Sequence, residues 1–218
     1  MLYTYFHNSA PMLKNTSFFK SRIAYCYLIG VMACSPLFVY AQAIITTLGT
    51  PIPLFNGADL GAFDHNKDRN GNANWLIINN EIQATQGHSL LVSRLSLPDF
   101  QLDFDYWASD STQATVFFRC ANPDAVNADT AYEVTLVNQS KDVGAGSILL
   151  LNKVKPSKVA NEWNHIRISA IGTDLSVTLN GVTHHVRDTR FSNGPLAINY
   201  ISGELRIKNI FLTIPGRW

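Results

Sequence analysis

Neither aspartate nor glutamate occurs in the first 41 residues of this 218-residue chain. That stretch instead carries Lys14, Lys20 and Arg22 ahead of an apolar run from Ile23 to Tyr40, the order of a secretory leader. The run ends in Val39-Tyr40-Ala41-Gln42-Ala43, whose small residues suit cleavage after Ala41 or Ala43. Residues 1–43 are therefore expected to be a signal peptide with a long n-region, and 44–52 a linker. A retained membrane anchor is the alternative, because the run approaches the ~18 residues that can span a bilayer. Val31-Met32-Ala33-Cys34 resembles a lipoprotein cleavage box, although Met is unusual there and the apolar run continues past Cys34. The mature chain is expected to be secreted or periplasmic, and membrane-bound only if this segment is retained.

Cysteine is nearly missing beyond the leader. Cys26 and Cys34 fall within it and Cys120 stands alone, so no internal disulfide can form and stability must come from a core. Cys120 follows Phe117-Phe118-Arg119 at an expected strand end, which points to a buried, inert thiol. No lysine or arginine run occurs. Without the leader's cations, 14 basic residues face 16 acidic ones, a net charge near −2 that argues against nucleic acid as a partner. Gly-x-Ser-x-Gly, a Cys-His pair and a phosphate-cradling glycine loop are also lacking; Gly144-Ala145-Gly146 has no following helix and reads as a turn.

From Leu54 onward no amphipathic helix is discernible; the pattern is strand, turn, strand. Phe100, Leu102, Phe104 and Tyr106 alternate with Gln101, Asp103, Asp105 and Trp107, so the two sets point to opposite faces. Asn74–Ile78 and Glu81–Ala84 flank Asn79-Asn80, an expected hairpin. Further strands are expected at 90–93, 114–120, 132–137, 147–151, 165–170, 175–179, 182–186, 196–200 and 205–213. Eleven or twelve antiparallel strands at short spacing predict an all-β fold of two sheets packed face to face, one domain over 53–215.

The densest signal is Glu162-Trp163-Asn164-His165-Ile166-Arg167-Ile168 followed by Leu175–Leu179 and Asn180-Gly181. Asn-Gly predicts a two-residue hairpin, since both turn positions need positive φ, and Trp163 is expected to be buried. The W-N-x-I-x-I … L-x-V-x-L-N-G pattern resembles that of secreted concanavalin A-like jelly-roll domains. The order of segments resembles one family more closely, the 3-keto-disaccharide hydrolase (3-keto-glucoside lyase/hydratase) domains. The likeness is carried by Pro53–Leu60, Pro98–Asp105, Val116-Phe117-Phe118-Arg119, Ala131–Leu136, Glu162-Trp163-Asn164, Leu179-Asn180-Gly181, Gly194–Ile198 and Leu205–Ile210. Departures fall on polar positions: Gln113-Ala114-Thr115 stands for N-S-G, Thr135 for Gln, Asn138 for Asp, and Ile198–Gly203 for L-Q-D-H-G.

What the resemblance implies is a jelly-roll sandwich that binds and cleaves oxidised sugars on the concave face of one sheet. The alternative is a non-catalytic carbohydrate-binding module. Cleaving a 3-keto glycoside needs a base at C2–H, an acid at the leaving oxygen, and a cation or metal ion for the enolate. Strand parity then nominates Arg119 and Glu133 as catalytic groups, with Asp103 and Asp105 on the same groove floor and Trp107 to stack on a sugar ring. An ordinary Arg–Glu pair on a solvated face would read the same way. No cofactor is certain and the metal is unknown, with a divalent ion left open. His184 and His185 point apart on one strand, and Asp64–Gly71 reads either as Asx turns or as an incomplete calcium loop.

Overall fold

The computed structural model describes residues 49–64 and 74–216. The leader, its cleavage and anchor readings, most of the linker, and residues 65–71 of the calcium-loop candidate lie outside the described residues. Among the described residues no helix is long and apolar enough to cross a membrane.

Strands form where side chains alternate and stop at asparagine or glycine. In chain order they are β1 (Ile52–Pro53), β2 (Phe63–Asp64), β3 (Leu76–Ile78), β4 (Glu81–Ala84), β5 (Ser89–Ser96), β6 (Phe100–Ala108) and β7 (Gln113–Phe118). They continue as β8 (Tyr132–Thr135), β9 (Trp163–Ile171), β10 (Asp174–Leu179), β11 (Val182–Arg187), β12 (Pro195–Ser202) and β13 (Leu205–Thr213). The larger sheet runs β11-β10-β9-β6-β13-β4-β3, with β1 also on β13, and the smaller runs β2-β5-β12-β7-β8. Pairing is antiparallel, and the chain is a two-sheet jelly-roll sandwich. The sheet takes in Ile52, the last residue of the expected linker, which pairs with Leu212.

The core lies between the sheets. Phe100, Leu102, Phe104 and Tyr106 of β6 join Ile166, Ile168, Val177 and Ile207 from the larger sheet; Leu91, Val116, Phe118, Val134 and Ile198 meet them from the smaller. Both expected hairpins form. Asn79 and Asn80 take φ of 53° and 61°, Asn180 and Gly181 48° and 86°, the positive pair that matches the twist of the flanking strands. The strand expected at 147–151 does not form. Leu150 turns back at φ 67°, leaving only bridges of Ile148 to Val134 and Asn152. The segment still caps the edge of β8, through Gly146 N–H to Thr135 O at 2.8 Å and Leu149 N–H to Glu133 O at 2.8 Å.

Trp163 is 37% exposed, contrary to the expectation of burial. The inward position belongs to its neighbour Asn164, which is 1% exposed, and strand parity then turns Trp163 outward beside Trp107. Asn164 Nδ2 donates to the carbonyls of Val159 (2.8 Å) and Glu162 (2.9 Å), while its Oδ1 accepts from Asn180 Nδ2 at 2.8 Å. Asn180 Oδ1 in turn accepts the His165 N–H at 2.9 Å. The Trp-Asn and Asn-Gly motifs are thus the two halves of one buried amide relay that seats the β10–β11 turn against the start of β9.

Asn164→Ala should therefore lower stability by about 2–3 kcal/mol, because buried carbonyls and one amide lose partners together. Urea unfolding checks this; a loss under about 0.5 kcal/mol, the range of an ordinary surface change, would show that water replaces the relay.

Candidate functional site

The outward face of the smaller sheet carries two in-register rows. One runs Asp64, Val92, Ala197, Phe117, Glu133 and the other Leu90, Asn199, Thr115, Thr135. Val92, Phe117, Ala197, Cys120 and Ala131 form a small buried cluster of their own, against which Leu90 and Val126 pack, so the centre of this face is covered. Burial pushes the Cys120 thiol up to about 12, which keeps it protonated and inert, as expected. Asp64 and Glu133 sit at opposite ends of their row, four strand spacings or roughly 19 Å apart, too far to share a proton.

Glu133 is half-buried on β8. Burial raises its carboxyl above the ordinary glutamate range, and a hydrogen bond from the Thr115 hydroxyl opposes that rise in part. Asn199 Nδ2 lies 3.3 Å from Thr115 Oγ1, so an amide, a hydroxyl and a carboxylate are linked across β12, β7 and β8. Thr115 also borders a cavity of about 410 Å³ whose polar lining comes from Asp110, Ser111, Thr112, Gln113, Asn138 and Gln139, with Val137 and Ile201 as apolar members. Asn138, where an acid was expected, is structural: its Nδ2 donates to Ser157 O at 2.7 Å and its Oδ1 accepts Ala145 N–H at 3.1 Å.

Arg119 does not join Glu133 on this face. β7 ends at Phe118, and Arg119 takes φ 51°, which breaks the alternation and turns the side chain inward to 1% exposure. Its Nε donates to Pro98 O at 2.8 Å, Nη1 to Phe191 O at 3.2 Å, and Nη2 faces Asp99 Oδ1 at 3.4 Å. Burial draws the guanidinium below the ordinary arginine range, with Asp99 acting in the opposite direction.

Asp103, Asp105 and Trp107 do point away from the core as parity requires, but they belong to the larger sheet and so face the other side of the sandwich. There Asp103 accepts from Arg167 Nε at 2.6 Å, and Asp105 lies 2.8 Å from His165 Nδ1 and accepts from Asn209 Nδ2 at 2.7 Å. Arg206 sits 5.7 Å from the Trp107 ring centre and 5.3 Å from that of Trp163, which Lys208 covers at 3.7 Å. The single groove floor expected from Arg119, Glu133, Asp103 and Asp105 is therefore not formed; only Glu133 stands there. Thr115 and Asn199 were visible in the sequence only as departures from the family pattern.

Among the described residues no three of His, Cys, Asp and Glu come together as a metal ion would require. His184 pairs opposite Val177 and His185 opposite Ser176, on opposite faces.

The family model described as a 3-keto-alpha-glucoside-1,2-lyase-like domain matches residues 50–213. Two crystal structures of candidate glycosyl hydrolases from Parabacteroides distasonis superpose with TM-scores of 0.62 and 0.63 at 13% and 17% identity, over 76% and 75% of this chain and 94% and 98% of theirs. The carbohydrate-binding module CBM66 from Bacillus subtilis superposes at 0.54, with 20% identity, over 68% of this chain and 93% of its own. At such identities the likeness is one of fold. No curated protein matches the sequence.

Two outcomes test the geometry. Arg119→Met, which keeps bulk and removes the donors, should cost about 3 kcal/mol in urea unfolding, since buried carbonyls and Asp99 lose a charged partner; an unchanged midpoint would refute the inward brace. Glu133 binds its proton more tightly folded than unfolded, so its contribution to stability falls as pH rises from the unfolded glutamate range through the raised folded value. Glu133→Gln should flatten that fall and melt higher than the parent at neutral pH, while the two converge in acid.

Proposed function

Because the chain belongs to the 3-keto-alpha-glucoside-1,2-lyase-like domain family over residues 50–213, we propose that it is a carbohydrate-active domain that cleaves 3-keto glycosides, with Glu133 as the base. The leader read in residues 1–43 makes this an extracytoplasmic activity. The observation that carries the assignment is the state of Glu133: half-buried, raised in pKa by that burial, and hydrogen-bonded to Thr115, which itself borders a polar cavity. A carboxylate of raised basicity, partly shielded from water, suits proton abstraction near neutral pH.

A carbonyl at C3 acidifies the proton at C2. Glu133 takes that proton, the C2–H electrons move toward the carbonyl as an enolate, and their return expels the C1 oxygen with its substituent. The leaving alkoxide needs one proton, and the newly protonated Glu133 carboxyl can return it, so the elimination balances without water. Thr115 aims the carboxylate through its hydroxyl, and the Asn199 amide fixes Thr115. Gln113 offers an amide donor to sugar hydroxyls in the adjoining cavity. The donor set around Glu133 does not fit a resident divalent ion, because Glu133 belongs to no group of three or more His, Cys, Asp and Glu among the described residues. No step here runs through one.

The second reading, a sugar-binding module without turnover, draws on one observation. Arg119, the cation expected to steady the enolate, is withdrawn into the fold. Incubating the protein with 3-keto α-glycosides and their unoxidised parents, while following release of the C1 substituent, separates the two. Turnover should be confined to the oxidised sugars and should drop at least ~100-fold in Glu133→Gln. With Glu133 as base, kcat/KM should fall toward acid with a midpoint above the ordinary glutamate range, because only the ionised form accepts the proton. Calorimetric binding of the same sugars without turnover would establish the module reading.

A further inference from the structure

The edge of the larger sheet holds a second cavity that the groove chemistry does not use. Its volume is about 510 Å³, and it lies between the β10–β11 hairpin and the loop 145–158. Val177 and Leu179 form its floor, Val182 and His184 one wall, and Ala145 and Val154 the other. The reason it is open is topological. Val182 and His184 sit opposite Leu179 and Val177, so they face the interior side of the sheet. The loop backbone at Gly146 packs directly on β10, where an added Cβ would stand 3.5 Å from Leu179. One strand further out Val182 stays 60% exposed among the described residues although it is an inward-facing aliphatic residue.

The wall facing it is preorganised. Gly144 N–H donates to Val154 O at 2.7 Å, Val154 N–H to Ser147 Oγ at 2.9 Å, and Asn138 Nδ2 to Ser157 O at 2.7 Å. Lys153, Lys155 and Lys158 stand at the rim, and among the described residues no aspartate or glutamate lines the cavity. Lys158 pairs with Glu162 at 3.6 Å, a solvated contact. An apolar floor with a cationic rim offers a sugar's hydroxyls few side-chain acceptors, those of Ser157, Asn180 and His184, and it repels cations. What it complements is an apolar body ending in one negative group.

We propose that this cavity binds a small anionic amphiphile, an aliphatic or aromatic acid whose apolar part covers Val177, Leu179 and Val182 while its acidic head meets Lys153 and Lys155. The site is separate from the Glu133 groove and does not depend on the activity proposed there.

The test titrates the full chain with sodium decanoate below its micellar concentration, followed by calorimetry, with decanol and decyltrimethylammonium as uncharged and cationic counterparts. Decanoate is expected to bind saturably with one-to-one stoichiometry, decanol more weakly, and decyltrimethylammonium not measurably. Lys153→Glu combined with Lys155→Glu should weaken decanoate at least tenfold and change decanol less than threefold, whereas Val182→Asp should weaken both. All three positions are exposed, so these variants should melt with the parent, and Glu133→Gln should bind decanoate as the parent does. The proposal is overturned by absent saturation with decanoate, by equal binding of the cationic amphiphile, or by an unchanged affinity in the double reversal. It is equally overturned if Glu133→Gln abolishes binding, which would move the ligand into the groove.

Discussion

The buried guanidinium of Arg119 is the interaction on which one whole end of the sandwich depends. An arginine out of water is tolerated only when its donors are met, and here they are met by segments distant in sequence: Pro98 and Asp99 before β6, and Phe191 before β12. Asp99 also accepts the Gly172 N–H of the β9–β10 turn at 2.8 Å, so one cation gathers loops that serve both sheets. The neighbouring Tyr132 donates to Asp188 at 2.7 Å and stacks with Phe118 and Phe191, which fixes the loop whose carbonyl Arg119 requires. Gly194 completes the arrangement: at φ 150° its backbone passes so close to Cys120 that a Cβ would fall 2.3 Å from the Cys120 carbonyl oxygen.

That brace has a chemical consequence. A cation that could have stood beside Glu133 is committed to holding loops, so the groove presents one carboxylate supported by neutral groups. Thr115 and Asn199 then take on the orienting role, and the basicity of Glu133 comes from burial without a nearby positive charge to lower it again. The same substitution of function appears at Asn138, which pins the 145–157 segment through both atoms of its amide.

The two outward faces of the sandwich obey the same alternation and yet differ in character. On the smaller sheet, loops cover the centre, leaving Thr135 and Val92 almost without exposure and Glu133 partly shielded. On the larger sheet Asp103, Asp105, His165, Arg167, Asn209 and the two tryptophans form a solvated lattice in which each charge has an opposite or aromatic neighbour. Shielding raises the reactivity of a carboxyl; solvated pairing spends it on local order.

Period-two patterning and turn chemistry were enough to determine the class of this fold. The alternation of β6, the Asn-Asn and Asn-Gly hairpins and the parity of Glu133 follow from local sterics and apolar spacing, which a chain carries in its own order. Those same rules placed Asp103, Asp105 and Trp107 on an outward face. They could not say which outward face, because sheet membership depends on pairing between strands far apart in sequence. Arg119 escaped them through a single left-handed residue at the end of β7, stabilised only by carbonyls from remote loops. Trp163 escaped because Asn164, a polar residue, claimed the inward position by satisfying buried carbonyls. Alternation decides which residues share a side; only the tertiary fold decides what that side faces, since burial and hydrogen-bond partners come from segments that local sequence does not contain.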